Sequence, residues 1–121
     1  MLQDNPQFGK RSEQFSAPEI IFWGEQDGPP ERELKSHLAE LFGAEQAVTK
    51  AYLARVTYSG SSTESVALCL RPGAAPSKRV IGRVGEVFSS MFGRHEHLDI
   101  MFLTDAQEAQ LAKVCKPFFV Q

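Results

Sequence analysis

Apolar residues fill both alternating sets of positions along the strands that the sequence predicts, and this pattern constrains the fold most. Successive side chains of a strand point to opposite faces of a sheet, so a sheet built from these strands needs cover on both faces. One set is expected to meet helices: Ile20, Phe22, Val56, Leu68 and Ile100. The other set is expected to point away from them: Ile21, Trp23, Leu53, Ala67, Cys69, Met101 and Leu103.

Glycine, proline and hydrophobic periodicity divide the chain into strands and helices. The predicted strands cover residues 17–23, 48–58, 66–70 and 98–102. The predicted helices run from the turn at 27–30 to Gly43, from Ser77 to Gly93, and from Thr104 to Cys115. The stretch from Thr104 to Glu108 resembles a capping box, which favours a helix start at that point. Pro117 then ends the last helix before an apolar tail.

This order of elements predicts an α+β fold. Strand, helix, strand, strand, helix, strand is typical of a ferredoxin-like (split βαβ) antiparallel sheet with helices on one face, here followed by a C-terminal helix and short tail. Right-handed crossovers would place strands one and three at the centre and strand four at an edge. Residues 1–16 are polar and are expected to form a flexible N-terminal arm, and residues 17–121 a single domain.

Charge and composition exclude several classes of protein. Thirteen basic and fifteen acidic residues give a formal net charge of -2, which argues against coating nucleic acid or an anionic membrane. The N-terminus lacks the apolar run of a signal peptide, and no stretch approaches the ~20 apolar residues of a membrane span. A cytoplasmic location is therefore expected. Cys69 and Cys115 lie far apart in apolar surroundings, which predicts two core residues rather than a disulfide framework.

Four stretches of the chain carry a family resemblance: FWGEQDGPPERELKSHLAELF, VTKAYLARV, LDIMFLTD and the closing VCKPFFV. Together they resemble the C-terminal domain of the enhanced serine sensitivity protein (SseB) family, over roughly residues 18 to 120. The resemblance implies a bacterial cytoplasmic domain of poorly defined biochemical role, with no catalytic residues to carry over. The N-terminal domain that usually precedes this module in the family is expected to be missing.

Helices on one face of the sheet would leave the other face as an exposed apolar surface. On a monomer, such a surface of several hundred Å² commonly marks an interface. The predicted partner-binding residues are Ile21, Trp23, Leu53, Met101 and Leu103. The alternative is that the third helix, the Phe118–Phe119 tail or the N-terminal arm folds across this face and buries it.

A second candidate site lies where the second long helix begins. Lys78, Arg79 and Arg83 cluster there, and free backbone amides at a helix start can receive a phosphate or carboxylate. A solvated basic turn is the alternative, because cations at this end oppose the helix dipole. Gly82 and Gly85 are interpreted as positions of close helix packing.

Catalytic and metal sites are not expected. His95, His97 and Asp99 share one face of a strand, but no further ligand at zinc spacing completes the set. A Gly-x-Ser-x-Gly nucleophile motif is absent from the sequence, and Cys69 lies in an apolar stretch. We therefore expect no cofactor, no bound metal and no enzymatic activity.

The function expected from the sequence is a protein-interaction module that binds through an apolar sheet face. Its partner would be another protein or a second copy of the chain, and an inhibitor or immunity-type protein is one form this would take. Nucleic acid and membrane are not expected partners. The competing hypothesis is a small-anion or nucleotide-binding protein that uses the basic helix start.

Overall fold

The computed structural model of the chain describes residues 19–93 and 95–121. These residues form the following elements: β1 (Ile20–Glu25), α1 (Pro29–Ala44), β2 (Val48–Tyr58), β3 (Ser65–Pro72), α2 (Lys78–Phe92), β4 (Asp99–Phe102), α3 (Asp105–Leu111) and β5 (Phe119–Val120). The predicted arm at residues 1–16, and the first two residues of the first predicted strand, lie outside the described residues.

Local sequence explains where the helices begin and end. Two prolines open α1, at positions whose backbone amides have no partner within the helix. Gly93 ends α2 with a φ of 80°, a conformation that side chains disfavour. The predicted capping box of α3 is confirmed, because Thr104 Oγ1 accepts from the Gln107 amide at 3.1 Å and Gln107 Oε1 accepts from the Thr104 amide at 2.9 Å. The helix itself ends at Leu111, four residues before the predicted end.

The sheet is organised around β2. β1 pairs antiparallel with the C-terminal half of β2, with Ile20 opposite Tyr58. β5 pairs antiparallel with the N-terminal half of the same edge, with Ala51 opposite Phe119. β3 runs antiparallel along the other edge of β2, and β4 pairs parallel with β3, which gives the order β1-β2-β3-β4.

The prediction of an α+β fold is confirmed, but the ferredoxin-like arrangement is not. Strands one and three are not neighbours, and β2 and β3 form the centre of the sheet. The length of β2 provides the physical reason: its 11 residues extend for about 36 Å at ~3.3 Å per residue. One edge of β2 therefore has room for both β1 and the apolar tail. The prediction that strand four lies at an edge is confirmed.

Each face of the sheet carries its own core. α1 and α2 cover the first face, and the buried residues there are Leu34, Leu38, Phe42, Ala47, Val48, Ala51, Leu53, Leu68, Leu70, Val80 and Val84. The C-terminal tail joins this core, because the rings of Phe42 and Phe119 lie 5.7 Å apart. α3 and the residues after it cover the second face, where the buried residues are Phe22, Tyr52, Ala54, Val56, Ala67, Cys69, Leu103, Leu111 and Cys115.

The predicted assignment of faces was wrong for β1 and β2. Leu53 was expected to point away from the helices, yet it is only 1% exposed in the core beneath α1 and α2. Phe22 and Val56 were expected to meet those helices, and they lie in the α3 core instead. The pairing of β2 with β3 sets the faces, because Leu53 lies opposite Leu68 and paired residues share a face. Alternation along a strand separates the residues of its two faces, but both sets are apolar here, so the pattern could not show which set meets α1 and α2.

Among the described residues, no helix combines the length and the apolar character that crossing a bilayer would require.

Gly82 and Gly85 lie on the exposed side of α2. A Cβ atom built on either glycine meets no other heavy atom within 4 Å, so the interpretation of close helix packing was wrong. In an exposed helix, glycine costs stability relative to alanine because the unfolded chain loses more conformational freedom on folding.

We predict that Gly82→Ala and Gly85→Ala each raise the free energy of unfolding by about 0.5–1 kcal/mol, measured by urea denaturation. Gly73→Ala is the contrasting control. Its Cβ would lie 2.5 Å from the backbone oxygen of Gln46, so this variant should lose about 1–3 kcal/mol through steric overlap. Destabilisation by the two helix substitutions would contradict the open surface of α2.

Candidate functional site

Glu108 attaches α3 to the second face of the sheet. Its Oε2 accepts a hydrogen bond of 2.7 Å from the Tyr52 hydroxyl and lies 3.2 Å from Lys50 Nζ. Its Oε1 lies 3.3 Å from Arg71 Nε. Arg71 also donates to the carbonyl oxygen of Leu103 and bonds to Asp105 at the start of α3. Three side chains of β2 and β3 thus hold one carboxylate of the helix.

These contacts favour the charged form of the Glu108 carboxyl. The hydrogen bond from Tyr52 is the main cause that lowers the pKa of Glu108, Lys50 and Arg71 act in the same direction, and burial opposes them. Burial, together with the hydrogen bond to Glu108, raises the pKa of Tyr52. The tyrosine therefore stays protonated as donor and the glutamate stays ionised as acceptor at neutral pH.

The apolar side of α3 closes the second face within the single chain. Leu103 is 4% exposed and Leu111 is fully buried, and the half-buried Met101 packs against the same core. Leu103, a predicted partner-binding residue, is therefore covered, and Leu53 is covered on the other face. Both cysteines also lie in this core: burial raises the pKa of the Cys69 thiol to about 12 and that of Cys115 to about 11.

Ile21 and Trp23 remain at the surface at one corner of the sheet. Ile21 is 47% exposed and Trp23 53% exposed. The indole Nε1–H of Trp23 donates to Thr57 Oγ1 at 3.0 Å, so the ring is held in place while much of its surface meets solvent. The pairing of β1 with β2 is irregular at Trp23, and such a bulge redirects a side chain at a sheet edge. Ile21 and Trp23 together are called the β1 corner below.

A groove opens on the first face of the sheet between the start of α1 and the end of α2. It has a volume of about 150 Å³, and its lining residues are Gln26, Glu31, Leu34, Leu53, Val66, Phe88, Phe92, Glu96 and His97. Its walls are apolar and its rim carries the polar groups. This set is called the α1–α2 groove below.

The groove and the β1 corner lie on the same side of the sheet. Val66 of the groove lies opposite Arg55 on β2, and Thr57, two residues further along β2, lies opposite Ile21. Residues two apart on a strand share a face and are separated by about 7 Å. The exposed corner therefore borders the mouth of the groove.

The predicted anion-binding residues are exposed on α2, and its two arginines each face a carboxylate. Arg79 Nε lies 3.9 Å from Glu45 Oε1 and Arg83 Nε lies 3.6 Å from Glu86 Oε1, and Lys78 is exposed at the first position of α2. The carboxylates offset part of the positive charge. No feature of this helix start distinguishes it from a solvated basic turn.

The histidine-rich stretch before β4 forms a hydrogen-bonded chain. His97 Nε2 bonds to Asp99 Oδ1, and Asp99 Oδ2 accepts a 2.6 Å hydrogen bond from the Tyr58 hydroxyl. Burial, and then this hydrogen bond, raise the pKa of Tyr58. Its hydroxyl is therefore poorly suited to act as a general acid in catalysis. Within residues 19–93 and 95–121, no group of three or more His, Cys, Asp or Glu side chains is placed to hold a metal ion. The chain of bonds ties the end of β2 to the start of β4.

Sequence reasoning missed the α1–α2 groove. Its walls come from four separate elements. The sequence predicts a helix from Ser77 to Gly93, and Phe88 and Phe92 belong to the apolar stripe along that helix. Their i, i+4 spacing was visible, and their rings stack with centroids 4.9 Å apart. The sequence held no signal that this end of the stripe would stay partly open.

Comparison with known protein families finds a match over most of the chain. The model of the family described as the SseB protein C-terminal domain matches residues 24–121. No curated protein and no solved structure matches the chain significantly.

We predict that Glu108→Gln lowers the free energy of unfolding by about 1–2 kcal/mol at neutral pH, because it removes a charge-assisted hydrogen bond and two ion pairs. The pKa of Glu108 is lower in the folded chain than its usual value of 4.5, so the ionised form stabilises the fold above that value. The advantage should decline as the pH falls below 4.5 and should vanish once the pH is below the lowered pKa of Glu108 in the folded chain, where the native carboxyl is protonated as well.

Urea denaturation of both proteins at several pH values measures this effect. Glu86→Gln is the matched control, because Glu86 pairs with Arg83 on an exposed helix surface, where an ion pair contributes at most about 0.5 kcal/mol. Equal losses from the two substitutions, or a difference that persists at low pH, would contradict the role given to Glu108.

Proposed function

The chain belongs to the SseB protein C-terminal domain family over residues 24–121, and from that premise we propose that it is a non-enzymatic, bacterial cytoplasmic protein-interaction module. It binds another protein through the β1 corner and the adjoining α1–α2 groove. The observation that carries this proposal is the pair of large apolar side chains left at the surface of β1 after both faces of the sheet have received their helical cover.

The covered second face strengthens the argument for the corner. Exposed apolar side chains are common on soluble proteins when they are scattered singly. Ile21 and Trp23 are different, because they stand together on an edge strand and beside a groove with apolar walls. Edge strands with exposed hydrophobic residues tend to associate with other chains unless something covers them.

The fixed position of the Trp23 ring favours binding. Association costs free energy when mobile side chains become ordered, and a side chain already held in place avoids part of that cost. The hydrogen bond to Thr57 fixes the indole in the free chain. Tryptophan is also one of the residue types that most often dominate binding energy at protein interfaces, together with tyrosine and arginine.

Phe102 is less suited to this role than the β1 corner. Phe102, 41% exposed, lies on β4 at the opposite edge of the sheet. It is not among the residues that line the α1–α2 groove. Phe102 therefore provides a matched control: an exposed aromatic residue on an edge strand, outside the proposed surface.

We predict that the double variant Ile21→Ser/Trp23→Ser recovers its partner from lysate of the source cell at least tenfold less efficiently than the unchanged chain. The basis is that loss of a central aromatic contact typically costs about 2 kcal/mol or more of binding energy. Affinity capture with quantitative mass spectrometry measures the recovery, and circular dichroism checks that each variant is folded.

Phe102→Ser should leave recovery within about twofold of the unchanged chain. Equal recovery by the double variant, or an equal loss with Phe102→Ser, would contradict the assignment of the β1 corner as the binding surface.

A further inference from the structure

The size of the α1–α2 groove limits what it can hold. Pockets for drug-sized ligands and cofactors have volumes of about 300–1,000 Å³, and this groove has about 150 Å³. An apolar cavity of about that volume accommodates a benzene-sized group. The groove therefore has room for one large apolar side chain and lacks the room for a nucleotide.

The walls of the groove match such a side chain. Leu34 and Leu53 are buried, and Val66, Phe88 and Phe92 are half-buried. An incoming apolar group would complete the packing of the two aromatic rings and bury their remaining surface, which is favourable at about 25 cal/mol per Å².

The rim of the groove is acidic. Glu31 accepts a hydrogen bond from the Gln26 side chain at 3.2 Å, and Glu96 is exposed. Neither lysine nor arginine is among the described residues that line the groove. The nearby Lys35 is already engaged, because its Nζ lies 2.6 Å from Glu25 Oε2 and 3.2 Å from Asp27 Oδ1. Arg55 lies opposite Val66 on the same face, but its guanidinium lies beside Gly24 of β1, so a partner group placed at this rim meets the carboxylates of Glu31 and Glu96.

Charge also argues against a second copy of the chain as the occupant. A twofold interface brings the same patch of both copies together. Two copies joined through this surface would bring the two acidic rims together, and like charges in contact are unfavourable. A segment with basic residues lacks this repulsion and gains attraction.

We propose that the α1–α2 groove takes one large apolar side chain of a partner protein, from a segment that carries lysine or arginine beside that side chain. The inference rests on the proposed function and deepens it: the β1 corner supplies contact area, and the groove with Glu31 and Glu96 selects the sequence that binds.

A displayed library of random dodecapeptides, selected on the immobilised full chain, tests this inference. The enriched peptides should share an aromatic or large aliphatic residue with lysine or arginine within a few positions of it. The best peptide should bind at least tenfold more weakly to the charge-reversed variant Glu31→Lys/Glu96→Lys. It should bind the control variant Glu33→Lys/Glu40→Lys within about twofold of the unchanged chain, because those residues are exposed away from the groove.

Several outcomes overturn the inference. One is a selection that enriches no peptide or enriches peptides without a basic bias. A second is equal weakening by both pairs of charge reversals, which would show a general effect of net charge. A third is a dimer in light scattering that Glu31→Lys/Glu96→Lys dissociates, which would make a second copy the occupant.

A further substitution separates the shape of the groove from its charge. Val66→Phe should fill the groove and weaken the best peptide at least tenfold while thermal unfolding remains cooperative; undiminished binding overturns the inference. If this variant fails to fold, the charge-reversal comparison alone decides the matter.

The two proposals fail in different ways. In one case, Ile21→Ser/Trp23→Ser loses partner capture, but the peptides bind the groove variants as tightly as the unchanged chain. That result would contradict the role of the groove and leave the proposed function standing. In the other case, peptide binding depends on the groove residues, but Ile21→Ser/Trp23→Ser captures the partner as well as the unchanged chain does. That result would contradict the assignment of the β1 corner as the binding surface.

Discussion

The contacts of the Glu108 carboxylate hold α3 in place, and the cover of the second face of the sheet depends on them. β2 and β3 carry apolar side chains on both faces, so α1 and α2 alone would leave Ala54, Val56, Ala67 and Cys69 without cover. α3 is a helix of 7 residues, too short to be stable without tertiary contacts. Its capping box fixes its start, its Leu111 supplies the apolar contact, and Tyr52, Lys50 and Arg71 hold its carboxylate. With both faces closed, the exposed apolar surface is confined to smaller regions.

The arrangement of β2 explains why one such region is the β1 corner. β2 is longer than its neighbours, and β1 and β5 share one of its edges. α1 begins at Pro29, after β1 has ended, and its buried residues pack on the half of β2 that lies toward Val48. Ile21 and Trp23 lie along the other half, opposite and beside Thr57. The open corner and the acidic groove next to it thus follow from strand pairing, rather than from any motif in the sequence.

Local signals in the sequence predicted the helices and strands well. The faces of the strands and their pairing partners depend on contacts between distant residues, and the sequence pattern did not predict them. β2 begins and ends at the predicted residues, and the capping box at Thr104 opens α3 as expected. Periodicity could not decide which face of β2 meets α1, because Leu53 and Val56 are equally apolar. It also gave no reason to pair Phe119 with Ala51, a contact that joins residues far apart in sequence. Ile21 and Trp23 are exposed as expected, but on the face that carries α1 and α2 rather than on the opposite face. Leu53 and Leu103 are enclosed, by α1 and α2 and by α3, respectively.

The two cysteines provide the most direct test of the account, whose central claim is that α3 closes the second face within one chain. Cys69 and Cys115 are the two cysteines of the sequence, and both lie buried in the core that α3 covers. The measurement is the rate at which a thiol reagent labels each cysteine in the native monomer at neutral pH. The account predicts that both are protected, with labelling that proceeds only through opening of the fold and accelerates in Glu108→Gln. Prompt labelling of Cys69 in the native protein, at the rate of an exposed thiol, would contradict it.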